Sequence, residues 1–354
     1  MKVDAPLLAT DLSKVPDEAR TIERLGYDGA FTFEGAHDPF LPLLLAAEHA
    51  PSIELATAIA IAPPRSPMQL ANIAHDLQVF SKGRFVLGLG SQVKAHIEKR
   101  FGSTWTQPVA RMREMVLALR AIWDCFQNGS KLEFRGEFYR HTLMTPYFNP
   151  GASPYGPPRV FLAGVGPAMT RVAGEVADGL FVHPMNSPHF LRTTTLPALE
   201  QGAARRRSGA GDSGARDGFE IACQALVVTG SNADEIRQAE LTTRMQLAFY
   251  ASTPQYRCVL DAHGWSALQD DLHALSKQGR WMEMSSLIDD RILETFAVRC
   301  ELDDVARNLQ RYQGVVDRLS IICHSQPHLT HPEAWAAVVA DCKSIPVTHA
   351  AATT

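Results

Sequence analysis

The sequence predicts an α/β protein folded as one (β/α)8 TIM barrel with insertions in its strand-end loops, and three observations carry that prediction. Short apolar runs alternate with stretches of helical spacing, eight such runs can be counted, and the 354 residues suit eight units plus insertions. A doubly wound open sheet has the same alternation, and no internal repeat separates the two.

The eight predicted strands are Lys2–Leu8, Gly29–Phe33, Ile53–Ile61, Phe85–Gly90, Val160–Gly164, Gly179–Val182, Phe219–Val228 and Arg318–Cys323. Helical stretches follow most of them, and Gly26 and Gly83 stand where the first and third helices should stop. From Val109 to Phe126, the apolar Met112, Met115, Val116, Leu119, Ile122, Trp123 and Phe126 share one helical face, which reads as core packing. "KLEFRGEFYRHTL" alternates around Gly136 as a hairpin would, and "TPYFNPGASPYGPP" reads as a connection. "RRRSGAGDSGARDG" reads as a loop, with Arg205 to Arg207 on a solvated turn, and the segment from Ala233 to Leu302 reads as mostly helical. One barrel domain is expected over residues 1–345, with 346–354 as a disordered tail.

Composition removes several classes of function. A net charge of −4 gives no general attraction to nucleic acid or anionic membranes, so a small-molecule partner is expected. No apolar run reaches the length of a spanning helix, the first residues lack a signal peptide's apolar core, and six dispersed cysteines suit reduced thiols; a cytoplasmic location is therefore expected. Cys323, His324, His328 and His331 match no metal-site spacing, and no metal is assigned.

In such a barrel, chemistry sits after the carboxyl ends of the strands. After the second strand come Glu34, His37 and Asp38, three ionisable groups able to move the proton that accompanies hydride transfer at an oxygen-bearing carbon. After the fourth and fifth come Gly90-Ser91-Gln92 and Gly164-Val165-Gly166, whose backbone N–H groups could hold a phosphate. Neither is a complete G-x-G-x-x-G fingerprint. G-x-x-x-x-G-K-[ST], H-E-x-x-H and G-x-S-x-G are also missing, so Rossmann, P-loop, zincin and α/β-hydrolase readings lose support.

"LQVFSKGRFVLGLGSQVKAHIEKRFG", "RMREMVLALRAIW", "AGEVADGLFVHP" and "FYASTPQYRCVLDAHGW" resemble the bacterial luciferase-like flavin and deazaflavin oxidoreductases, in particular the subgroup that uses coenzyme F-420. The resemblance spans nearly the whole chain. It implies a cofactor phosphate between Ser91 and Gln92 on one side and Gly164, Val165 and Gly166 on the other, a non-proline cis peptide at Ala58-Ile59 behind the ring, and a homodimer. Lys94, Arg65 and Arg171 are candidates to meet the anionic tail of coenzyme F-420. Val93 stands where relatives acting on sugar phosphates place a glutamate, which moves the expected acid or base to Glu34, His37 or Asp38. The resemblance thus implies an F-420-dependent oxidoreductase acting on a small organic substrate. An FMN-dependent monooxygenase is the alternative on the same fold, and a cofactor-binding barrel without turnover is the alternative of another class.

Overall fold

The computed structural model describes residues 1–8, 11–210 and 218–347. Eight parallel strands form the barrel: β1 (Lys2–Pro6), β2 (Gly29–Thr32), β3 (Glu54–Thr57), β4 (Phe85–Gly90), β5 (Arg159–Gly164), β6 (Gly179–Val182), β7 (Glu220–Val228) and β8 (Arg318–Cys323). Each pairs with the next in sequence, and Lys2 opposite Arg318 closes β8 onto β1, so the open sheet is excluded. Alternation along β4 shows why this sequence gives a barrel. Phe85, Leu87 and Leu89 join the large core under the helices, while Val86 points inward to Phe31, Ala58, Phe161, Phe181 and Ala222.

The expected third strand, Ile53–Ile61, is broken in two. Leu55 and Ala56 pair with Phe85 and Val86, and pairing resumes only with Ala60 opposite Leu89 and Ile61 opposite Gly90. The β3 side therefore holds one extra residue, a bulge, and within it the Ala58-Ile59 peptide is cis. Thr57 replaces the missing ladder contacts: its Oγ1 donates to Gly88 O at 2.8 Å and accepts from Gly88 N at 2.9 Å. A Cβ on Gly88 would lie 1.8 Å from Thr57 O, and one on Gly90 would lie 2.8 Å from Ile59 Cδ1. These two glycines admit the bulge of the neighbouring strand.

The connection from β4 to β5 contains the helices Lys94–Lys99 and Pro108–Asn128 and the expected hairpin, with Phe134 opposite His141 and Arg135 opposite Arg140. Glu114 of the "RMRE" stretch holds its turn, accepting from the backbone N–H groups of Glu137, Phe138 and Tyr139 at 2.9, 2.8 and 2.6 Å. The expected loop from Arg205 begins later than composition suggests, because the helix Leu196–Ala210 carries Arg205 and Arg206. That helix meets the helix Pro167–Val176 backbone to backbone, since Cβ atoms on Gly174 and Gly202 would lie 2.4 Å from Leu199 O and 2.0 Å from Arg171 O. Arg206 then donates to the carbonyls of Glu175 and Ala177. Residues 211–217 of that loop and 348–354 of the expected tail lie outside the described residues. Between β7 and β8 the chain is helical as expected, except for a short strand, Ala297–Arg299, that pairs with the end of β7. Six free cysteines and no helix long and apolar enough to cross a membrane are found among the described residues.

At the amino-terminal end of the barrel, Arg318 is almost fully enclosed. Its guanidinium donates to both Asp4 oxygens at 2.7 and 2.8 Å, to Glu54 at 2.6 Å and to Glu220 at 2.8 Å, and Lys2 and Arg159 complete a network of three cations and three carboxylates. Burial alone would raise the Glu54 pKa, but Arg318 and Arg159 outweigh it and hold the carboxyl at about 2, below its ordinary 4.5. Glu220 is lowered in the same way, whereas burial raises Asp4. A depressed carboxylate stabilises the fold above its unfolded pKa and loses that contribution as pH falls toward its folded one. We therefore expect stability on the order of 2 kcal/mol to be lost from the depressed carboxylates between about pH 4.5 and 2, while protonation of Asp4 acts in the opposite direction. Thermal melts of wild type and Glu54→Gln across that range check it: the wild type should lose its advantage over the variant as pH falls, and a constant difference would contradict the assignment.

Candidate active site

At the carboxyl ends of the strands, the structure sorts the predicted residues. Glu34, directly past β2, is nearly buried and accepts at Oε2 from Ile61 N at 2.7 Å and from Arg65 Nη1 at 2.5 Å. Its own N–H donates to Ile59 O at 3.1 Å. Asp38 accepts from the other arm of Arg65 at 3.1 Å and from Phe40 N at 2.9 Å. Glu34 and Asp38 thus share one guanidinium, and Glu34 ties the β3 bulge to the end of β2. Only His37 of the three is exposed without a side-chain partner among the described residues. Arg65 is committed inside the protein, Lys94 lies 3.9 Å from Glu98, and Arg171 reaches Gln201 at 3.5 Å.

The two glycine-bearing loops are brought together because β4 and β5 are neighbours, with Leu89 opposite Leu162. Ser91 is half-buried and donates to Gln92 O at 3.2 Å; Gln92 has a left-handed backbone, φ +58°, and its side chain accepts from Val93 N at 3.0 Å. Across from it, Gly164 and Val165 lead to Gly166, the N-cap of the helix Pro167–Val176, which receives no side-chain cap. A Cβ on Gly166 would meet nothing within 4 Å. An uncapped helix N-terminus beside a second turn of exposed backbone suits an anion, because the first N–H groups of a helix lack internal partners. Ile59 lies against Gly90 and the inner barrel cluster, with Ala58 in that cluster.

The sequence places His183 directly after the sixth strand but assigns no role to it or to the group it gathers. His183 follows β6, and its Nδ1 accepts from Met185 N at 3.1 Å. Tyr250 packs edge-on against its ring at 4.5 Å and Tyr256 lies at 4.4 Å. Burial pushes the imidazole down to about 3. Tyr250 Oη accepts from Gln246 Nε2 at 2.9 Å, and Gln246 Oε1 meets His324 Nε2 at 2.9 Å. His324 is thereby engaged by an amide, and Cys323 Sγ lies 3.0 Å from Ser325 Oγ. The available signal was "FYASTPQY", which puts two tyrosines on either side of a helix end above the mouth.

Comparison with known proteins agrees with the barrel fold. A family model for the luciferase-like monooxygenases matches residues 2–318. An uncharacterized protein of Mycobacterium tuberculosis is 51% identical over 320 residues, covering 90% of this chain and 92% of that one. A 5,10-methylenetetrahydromethanopterin reductase of Archaeoglobus fulgidus is 28% identical over 250 residues, covering 69% of this chain and 68% of its own. Among solved structures, the coenzyme F420 dependent tetrahydromethanopterin reductase of Methanopyrus kandleri superposes with a TM-score of 0.74 at 19% identity, covering 96% and 97% of the two chains.

Proposed function

The chain belongs to the luciferase-like monooxygenase family of enzymes, and on that premise we propose that it is a coenzyme F-420-dependent oxidoreductase acting on a small organic molecule. The observation that carries the reading is the pairing of the Ser91-Gln92 turn with the uncapped helix N-terminus at Gly166. When bound, the deazaflavin accepts or supplies a hydride at its ring C5. Ser91, Gln92, Gly164, Val165 and Gly166 hold its phosphate, and Ala58 and Ile59 back its ring. Glu34 and Asp38 keep the bulge in place through Arg65, which leaves His37 as the strand-end group able to exchange a proton with solvent. The protein works in the cytoplasm as a homodimer. Leu41, Leu44 and Phe80, each more than two-fifths exposed on the helices Phe40–His49 and Pro67–Phe80, support a contact between copies.

Titration of the purified protein with coenzyme F-420 and separately with FMN, read by quenching of cofactor fluorescence, tests the cofactor. F-420 is expected to bind at least about tenfold tighter, a difference of about 1.4 kcal/mol. The reverse preference would replace this reading with an FMN-dependent monooxygenase, and binding of neither would remove the ring site.

A further inference from the structure

The mouth of the barrel contains hydrogen-bond donors that the fold itself does not use. Because Nδ1 of His183 accepts a backbone N–H, the ring proton of the neutral imidazole must sit on Nε2. Nε2 has no partner among the described residues, and neither has the hydroxyl of Tyr256. Tyr250 accepts from Gln246, so its own hydroxyl proton is uncommitted. Burial raises both tyrosines, Tyr256 to about 12, and they stay protonated at neutral pH. Three neutral donors therefore belong to one cluster of packed rings just past β6. The rim beside them is apolar: Phe249 and Trp281, each about half exposed, lie 6.3 Å apart between ring centres. The nearby Arg257 is held by Asp270 at 2.8 Å and Arg291 lies over Trp265, so neither cation is directed to this cluster.

We propose that His183, Tyr250 and Tyr256 form a binding site for the uncharged oxygen of an apolar substrate, a ketone or alcohol, with His183 Nε2–H donating to that oxygen. Donors without positive charge suit a carbonyl or hydroxyl and give a carboxylate or phosphate no counter-ion to offset its desolvation. The Met185 N–H fixes the tautomer, and the two tyrosine rings fix the plane of the imidazole, so the donor is oriented before any ligand arrives. The identification of this oxygen as the substrate's rests on the oxidoreductase reading; the donor site itself does not.

The test uses full-length protein labelled with 15N-histidine at pH 7, with and without coenzyme F-420, and cyclohexanone and cyclohexanecarboxylate as probes. The His183 signals, identified by their loss in His183→Gln, should show the Nε2–H tautomer. They should shift saturably with the ketone, and at least tenfold less with the carboxylate at the same concentration. Tyr256→Phe, which removes only a hydroxyl, should weaken the ketone response severalfold while F-420 quenching stays as in wild type. An Nδ1–H tautomer, an absent ketone shift, or an equal response to the carboxylate would overturn the proposal. Loss of F-420 binding in a folded His183→Gln protein would overturn it too, by placing His183 against the cofactor. A ketone response in wild type that persists without F-420 binding would retain the donor site and remove the cofactor reading alone.

Discussion

Replacing Arg318 by methionine is expected to lower stability by about 3–5 kcal/mol, because it leaves Asp4 and the buried sides of Glu54 and Glu220 without their cation. Burial alone works against the Arg318 charge, and the three carboxylates outweigh it, holding the guanidinium well above its ordinary value. Lysine should recover only part of the loss, since it cannot present the two parallel donors that Asp4 accepts. The deficit should shrink under mild acid, where Asp4, already raised by burial, takes up a proton and no longer needs a cation. Chemical denaturation at pH 8 and pH 5 reads both effects. A pH-independent deficit would mean that lost packing, not unpaired charge, sets the cost. An Asp4→Leu change in the Arg318→Met background should restore part of the stability, as replacement of a buried ion pair by apolar side chains often does.

Gly88→Ala is the second large effect. The added methyl would sit 1.8 Å from Thr57 O and 2.6 Å from the Phe181 ring, and the first of these is backbone, which no rotamer change can clear. The variant must separate β3 from β4 at the bulge, break both Thr57 hydrogen bonds to Gly88, and shift the strand ends around Ser91 and Ile59. A cost of about 3 kcal/mol or more is expected, with loss of cofactor quenching in whatever protein remains folded. Gly166→Ala is the control, because the new methyl would enter open space at a φ of −79° that any residue adopts, so its melting temperature should stay near that of wild type. If Gly88→Ala melted as the wild type does, the close approach of the two strands would be wrong.

Those two glycines mark how far the sequence could be read. Gly88 stands two residues before the Gly90-Ser91-Gln92 turn and Gly166 ends the other glycine-bearing loop, and nothing in their neighbouring residues tells the two roles apart. Only the neighbouring strand distinguishes them: one admits a carbonyl, the other faces open space. The ionisable cluster after β2 shows a similar limit. Glu34, His37 and Asp38 were visible as a group, but Arg65, which lies 31 positions beyond Glu34, takes up both carboxylates and leaves the imidazole apart.

Local information determined the alternating strands and helices and their order. Apolar runs, helical stripes and helix-ending glycines are written in neighbouring residues, but that eight such units close into a barrel rather than an open sheet was settled only by the pairing of Lys2 with Arg318. Tertiary structure decided what depends on residues distant in sequence. The salt-bridge network joins Lys2, Asp4, Glu54, Arg159, Glu220 and Arg318, and Glu114 holds a turn more than 20 residues away. The donor cluster at the mouth brings Tyr250 and Tyr256 onto His183, more than 60 positions earlier. The physical reason is the same in each case: a polar group's role is set by the partner that satisfies it once water is removed, and closing the barrel chooses that partner.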